Sequence, residues 1–456
     1  VRIPGRGGLD VNLTLVYNSQ DPRCDILGCG WSFPYNIRLQ RYSDESVAVV
    51  YPDGRTMLYE WTGSAYRPPA GGYDRLERRE DFWFLTSRDG EQTWQFQETV
   101  TGLGILVAWR DRRGNALTFT HDLSGQDAWR RGEAVPRPPL TAITDATGRV
   151  IRVENDAAGR IRAFVLPDGR RFDLEFDDRG DLVTITDANT PTRGTYRFEY
   201  DERHRIVKQW DPEGILYLVN EYDDRDRVVR QVDASGSVSW ASYDPIARTT
   251  IFTDNLGFRY VYAYDELYRV IAETDPLNRT SRTVYDDQYN VVAYTDANGR
   301  TVRASYDHRG RLTALHEPVS EGSLACREHS YSVDTKVWEY NGSGANADLP
   351  TAFIDELGRR WEYRYDDEGN LVQIIAPIGA MSFRFDEWGQ RVASIDTAGR
   401  VTQYFYDAHG NLARIIDPKN GTTLFTYDVT GRLLSITDAN NRTVSFAYYG
   451  NDLIAK

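Results

Sequence analysis

An aromatic residue followed by aspartate recurs ten times along this chain, at Tyr200, Tyr222, Tyr243, Tyr264, Tyr285, Tyr306, Tyr365, Phe385, Tyr406 and Tyr427. Neighbouring anchors stand 20 to 22 residues apart, except for a step of 59 between Tyr306 and Tyr365. A period held that tightly encodes one supersecondary unit copied many times, so the chain must fold as an array and act through an assembled surface.

Each unit carries two turn signals. The first follows the anchor and reads Y-D-x-x-G-R or Y-D-x-x-G-N at Gly310, Gly369, Gly410 and Gly431, with F-D-E-W-G-Q at Gly389. The second is an aspartate eleven residues past the anchor with Gly or Asn three places later, as at Asp211 to Gly214, Asp254 to Gly257, Asp275 to Asn278, Asp396 to Gly399 and Asp438 to Asn441. Gly and Asn enter positive φ cheaply, and Asp can bond its own backbone two residues on. About six residues separate the turns, enough for one strand. The unit is therefore a β-hairpin.

A second aromatic stands two residues before many anchors, at Phe198, Tyr262, Tyr363, Phe383, Tyr404 and Phe425. Residues two apart share a strand face, so these pairs are expected to stack as an aromatic ladder from hairpin to hairpin. The units anchored at Tyr200 to Tyr285 put His204, Asp226, Ala247, Tyr268 and Tyr289 where the first-turn glycine stands elsewhere. Positive φ costs such residues on the order of 1 kcal/mol or more. A looser turn without positive φ is expected there.

The repeat overrides any division by length, and from about residue 141 one continuous β array is expected. A net charge of −14, with a pI near 5.1, argues against a nucleic-acid surface, which needs clustered Lys and Arg. No run approaches the roughly 18 apolar residues of a membrane span, and the chain reads as an excised piece of something longer. Cys24 and Cys29 are close enough in sequence to bridge, leaving Cys326. A zinc site completed by Cys326 and His329 is disfavoured because no metal spacing repeats.

Residues 1–126 do not hold the period but are rich in short strand patterns, such as Val11 to Tyr17, Ser46 to Tyr51, Phe82 to Leu85 and Thr93 to Phe96. They read as an N-terminal β cap. Residues 127–140 read as a linker and 141–456 as the array, interrupted by an irregular insertion at about 316–354, in which Tyr331 is a degraded anchor and Asn341 to Ala347 a loop.

The Y-D-x-x-G-R core, its D-x-x-G partner and the period resemble the YD repeats of Rhs proteins, a family that includes toxin-complex C subunits and teneurin shells. Val16-Tyr17-Asn18-Ser19 and Gly28-Cys29-Gly30-Trp31-Ser32-Phe33-Pro34-Tyr35 resemble the segment that precedes the repeats in bacterial members. The resemblance implies an all-β fold, a spiral of antiparallel β-hairpins of about 21 residues each forming all or part of a hollow shell. It also implies that the shell encloses or presents a C-terminal effector. The expected partners are an effector polypeptide or the remaining shell segment, together with an immunity or delivery protein. The expected setting is secreted, or loaded into a bacterial export system after a cytoplasmic stage. Family members end their shell with P-x-x-x-x-D-P-x-G, which nothing after Tyr427 matches, so no catalytic residue is carried over.

Three other readings are weighed. An adhesin or carbohydrate-binding module could use the chain's Tyr and Trp rings, although their two-residue pairing points to structural use. An enzyme is not expected: His121, His204, His308, His316, His329 and His409 are scattered, and no G-x-S-x-G, phosphate loop or H-E-x-x-H is present. No cofactor is expected, and single turn aspartates make poor calcium sites. A β-propeller, with two units per blade, would make odd and even units differ, which they do not. The ten anchors are thus structural residues.

Overall fold

The computed structural model describes residues 1–124, 137–189, 194–318 and 333–448. Among them the chain is all-β, with antiparallel strands following one another as a meander and no α-helix. Cys326, His329, Tyr331 and most of the linker lie outside the described residues. No helix among the described residues is long and apolar enough to cross a membrane.

Both turn signals fold into the same closed turn. In the turn at Asp307, the Gly310 N–H donates to the Asp307 carbonyl at 2.9 Å and the Asp307 N–H to the Arg311 carbonyl at 3.0 Å. The Asp307 carboxylate Oδ1 accepts the N–H groups of Arg309 and Arg311. The second-turn Asp254 repeats this with Leu256, Gly257 and Phe258. This is a three-residue hairpin loop whose last residue is left-handed, followed by a bulge. At the first turn the register also shifts, between Ser305 and Tyr306, whereas the strands flanking the second turn at Asp254 keep one register throughout.

The expectation of turns without positive φ is wrong. His204, Asp226, Tyr268 and Tyr289 have φ of 62°, 64°, 61° and 65°. At Tyr268 the path is fixed by Tyr268 N–H to Asp265 O, Asp265 N–H to Arg269 O, and two bonds into the Asp265 carboxylate. Four such bonds, at about 1 kcal/mol net each, outweigh a left-handed residue costing about 1–2 kcal/mol. Only the Ala247 turn slips: Asp244 pairs directly with Thr249, the bulge is gone, and Arg248 takes the left-handed position at 52°.

The chain divides into two compact units. The first comprises Val1–Pro69, Asp74–Leu216 and Met381–Lys456. It contains the apolar core, in which Phe33, Leu39, Tyr59, Trp83, Phe96, Leu106 and Ile143 are fully buried, and which extends to Leu182 and Ile206. Each such side chain contributes about 1.5–3 kcal/mol. Strand Leu103–Asp111 pairs with Gln92–Glu98 on one edge and shares the other between Ala116–His121 and Arg38–Arg41. Gly104 permits that junction, since a side chain there would start 2.9 Å from Leu39 Cβ. The sequence pattern over Val11 to Tyr17 is not one strand but two, Val11–Asn12 and Val16–Tyr17, which pair with Arg2–Ile3 and Trp31–Ser32. Cys24 and Cys29 are cross-strand partners joined by a disulfide.

The second unit, Ala70–Tyr73 and Tyr217–Ala380, is built differently. Among its described residues Ala352 is the only apolar side chain that is fully buried. The register puts Phe252 and Tyr294 on one face and Trp240 and Val284 on the other, and all four are exposed. Its sheet is a single layer. A ladder of aromatics from hairpin to hairpin does not form at the expected positions. Those residues fall on every second strand, roughly 9.6 Å apart, and the return strand between them supplies aliphatic or polar partners: Ile374 for Tyr363, Ser394 for Phe383 and Ile436 for Phe425. Adjacent-strand ring contact occurs instead through Trp338, Phe353 and Trp361, whose tilted rings have centroids 5.1 and 5.5 Å apart.

Candidate functional site

The repeated feature with the most elaborate chemistry is the anchor with its turn. The turn aspartate uses Oδ1 for backbone N–H groups and Oδ2 for the side chain that follows the turn. Arg227, Arg269, Arg311 and Arg432 donate from Nε to Oδ2 of Asp223, Asp265, Asp307 and Asp428 at 2.6–2.8 Å. Asn290, Asn370 and Asn411 do the same from Nδ2, and Gln390 from Nε2. This explains why the motif ends in R, N or Q: each supplies a donor at that reach.

The anchor hydroxyl ties one hairpin to the one before. Tyr243, Tyr285, Tyr306, Tyr365, Tyr406 and Tyr427 each donate to the carbonyl fifteen residues earlier, at 2.8–3.2 Å. Tyr448 makes the same bond to Leu433. Tyr200 bonds Leu182 O at 2.6 Å and accepts from Trp31 Nε1 at 2.8 Å, so the N-terminal segment docks on the first anchor. Tyr222 accepts from Asn220 Nδ2, and Tyr264, which follows the slipped turn, is held through its backbone N–H to Arg248 O. Phe385 has no hydroxyl and pairs across the strand with Arg391. Arg227, Arg269 and Arg432 also lie over the rings of Tyr243, Tyr285 and Tyr448, 4.1–5.2 Å from their centroids.

That stacking identifies an anchor that sequence reading missed. Arg311 lies 4.6 Å from the centroid of Tyr340, placing Tyr340 in the anchor role inside the irregular segment. The signal was Trp338 two residues ahead, obscured because Asn341 stands where Asp does elsewhere.

Burial pushes the Tyr365 hydroxyl up to about 12 and raises that of Tyr200 further. The Asp223 and Asp307 carboxyls sit below the usual range: desolvation opposes ionisation, but the hydrogen bonds from Arg227 and Arg311 outweigh it. Three of the histidines make local contacts. His121 faces the carbonyls of Leu106 and Pro138, and burial lowers its pKa. His316 meets Thr335 and His409 meets Thr147.

The two turn edges differ. In the first unit, first turns meet Arg149 and N-terminal residues: Arg149 donates to Val429 O, Gly410 approaches Arg6, and Gly431 approaches Pro4. In the second, Asn290 donates to Tyr73 Oη at 3.0 Å and Gly310 lies under the Tyr73 ring. Second-turn glycines Gly236, Gly257, Gly299 and Gly358 have no atom within reach of an added methyl group. That open rim carries exposed Leu256, Leu277, Leu357 and Ile378.

Comparison with known families gives a Teneurin YD-shell match over residues 193–395, RHS Repeat matches over 156–192, 385–423 and 406–443, and a domain of unknown function, DUF6531, over 1–59. A comparison with curated proteins found no match. Among solved structures, the crystal structure of TcdB2-TccC3-TEV is 14% identical with a TM-score of 0.52, covering 92% of this chain and 24% of that one. The Tc holotoxin pore of Photorhabdus luminescens is 13% identical with a TM-score of 0.45, covering 99% and 28%. The chain thus spans about a quarter of the length of the structures it matches, and the likeness at this identity is one of fold.

Proposed function

We propose that this chain, which matches the Teneurin YD-shell model over residues 193–395 and the RHS Repeat model on either side of it, is a structural segment of a shell wall that encloses or presents an effector polypeptide. The observation that carries this reading is the single-layer sheet of the second unit, whose two faces both keep exposed apolar side chains. A globular module buries one face against a core. A wall has two surfaces to offer, one of them to a cargo. The hydroxyl staples and turn ion pairs suit that role, because they hold strand to strand without a second layer.

On this reading residues 1–126 act as a cap, 127–140 as a linker and 141–456 as the wall, interrupted at about 316–354. The open rim of second turns meets the remaining shell segment of a longer polypeptide or its partner subunit. The shell is assembled before export and works outside the producing cell, with the wall itself carrying no catalysis. Limited proteolysis of the full-length parent tests the proposal. The effector segment resists protease in the intact parent and is cut rapidly when expressed alone; equal rates of cutting overturn enclosure.

A further inference from the structure

The first turn from Asp177 to Asp181 breaks the rule that the first turns described above obey. Where Arg, Asn or Gln in those turns offers a donor to the turn aspartate, this turn has Asp181, a second carboxylate. Asp181 is fully buried, and its N–H donates to Asp177 Oδ1 at 2.9 Å. Two carboxylates in one turn repel each other, and a broken local rule without local gain marks a site with another purpose. Asp181 Oδ1 lies 2.8 Å from His204 Nδ1. Its Oδ2 lies 2.9 Å from the Arg179 guanidinium, which balances its charge, yet this oxygen accepts no hydrogen bond among the described residues.

The N-terminal hairpin brings sulfur to the same point. Gly28, at φ 85°, packs so closely on the turn that a Cβ there would lie 2.6 Å from Gly180 O. Cys29 is thereby set beside Asp181 and His204, and one ligand atom from each lies within 4.8 Å of the others. Cys24, bonded to Cys29, is exposed at a cleft of about 600 Å³ that Arg137, Arg160 and Arg179 help to line. The cleft gives a reductant or an ion access to the disulfide.

While the sulfurs are bonded to each other, neither is a thiolate. We propose that reduction converts this cluster into a zinc site with Cys24, Cys29, Asp181 and His204 as its four ligands. A dithiol reductant gives two electrons and two protons to the S–S bond and is itself oxidised to a disulfide, leaving two thiols. Zinc then displaces both thiol protons to solvent. Two thiolates, an imidazole and a carboxylate are the ligand types of a tetrahedral zinc site. Against three ligand charges and Zn²⁺, one negative charge remains, and Arg179 compensates it. The segment is metal-loaded in a reducing compartment and disulfide-closed outside it.

The test uses the full chain in a Cys326→Ser background, reduced by a phosphine without oxygen. The reduced protein binds one zinc, and the oxidised protein binds roughly 100-fold more weakly or not at all, read by competition with a chromophoric chelator. Cobalt gives a thiolate charge-transfer band only after reduction. His204→Ala and Asp181→Asn each weaken binding roughly tenfold or more, while His409→Ala, at another turn, leaves it unchanged. If Asp181→Asn fails to fold by circular dichroism, His204→Ala and His204→Asn decide. Equal zinc binding by reduced and oxidised protein, or undiminished binding by the His204 variants, overturns the proposal.

Discussion

The phenolic oxygen of Tyr427 donates to the carbonyl of Leu412 at 2.9 Å, linking the start of one hairpin's turn to the return strand of the hairpin before it. Tyr406 does the same with Arg391. Tyr427→Phe keeps the ring and removes only this bond, so it is expected to cost about 1 kcal/mol. Urea denaturation of the chain, compared with the wild type, measures it; an unchanged midpoint shows that the ring alone is what the position needs.

The left-handed residues give a prediction of opposite sign. Tyr268 is 85% exposed at φ 61°, so Tyr268→Gly relieves backbone strain with little packing to lose and stabilises by up to about 1 kcal/mol. Gly299→Ala, at φ 84° with open space around it, destabilises by about 1 kcal/mol through the backbone alone. Thermal denaturation of both variants checks the pair. A destabilised Tyr268→Gly assigns the ring a contact that its exposure argues against.

Turn aspartates make stability depend on pH. Desolvation raises the pKa of Asp156, Asp223, Asp307 and Asp428, but the hydrogen bonds from Arg160, Arg227, Arg311 and Arg432 bring each below its usual value. The folded pKa is lower than the unfolded value of about 3.9, so the stabilisation is full above about pH 4 and is lost as pH falls through the depressed folded values. Urea midpoints measured down through this range should be level first and then fall. A midpoint that stays level throughout means the turns do not need their charge.

The open rim is expected to be dispensable for folding. Leu256→Asn, Leu277→Asn and Leu357→Asn change exposed turn tips, so the triple variant stays within about 0.5 kcal/mol per site of the wild type. It should bind less of an apolar fluorescent dye. A loss of several kcal/mol means that the rim already packs within the chain.

Much of this fold was legible because its turn chemistry is local. Asp254 and Gly257 announce a turn whatever surrounds them, since the carboxylate bonds N–H groups only two and four residues on. Tyr268 was misread for the converse reason: the cost of its φ is visible in one residue, whereas the four bonds that offset it belong to the closed loop. Tyr340 escaped because its role is defined by Arg311 stacking on it across an irregular segment, not by a following aspartate. The cluster of Cys29, Asp181 and His204 had no sequence signal as a set. It arises where a non-repeating hairpin lies against a turn about 150 residues further on, a distance that no period encodes.

The single-layer sheet of the second unit also has a mechanical consequence. A strand held only by its two flanking strands yields without disturbing strands further along, so a pull on one end peels hairpins away in succession. Each release frees about 21 residues, or roughly 70 Å of extended chain. Under load such a sheet pays out in even steps instead of shattering, and opens a gap only as wide as the hairpins already drawn off.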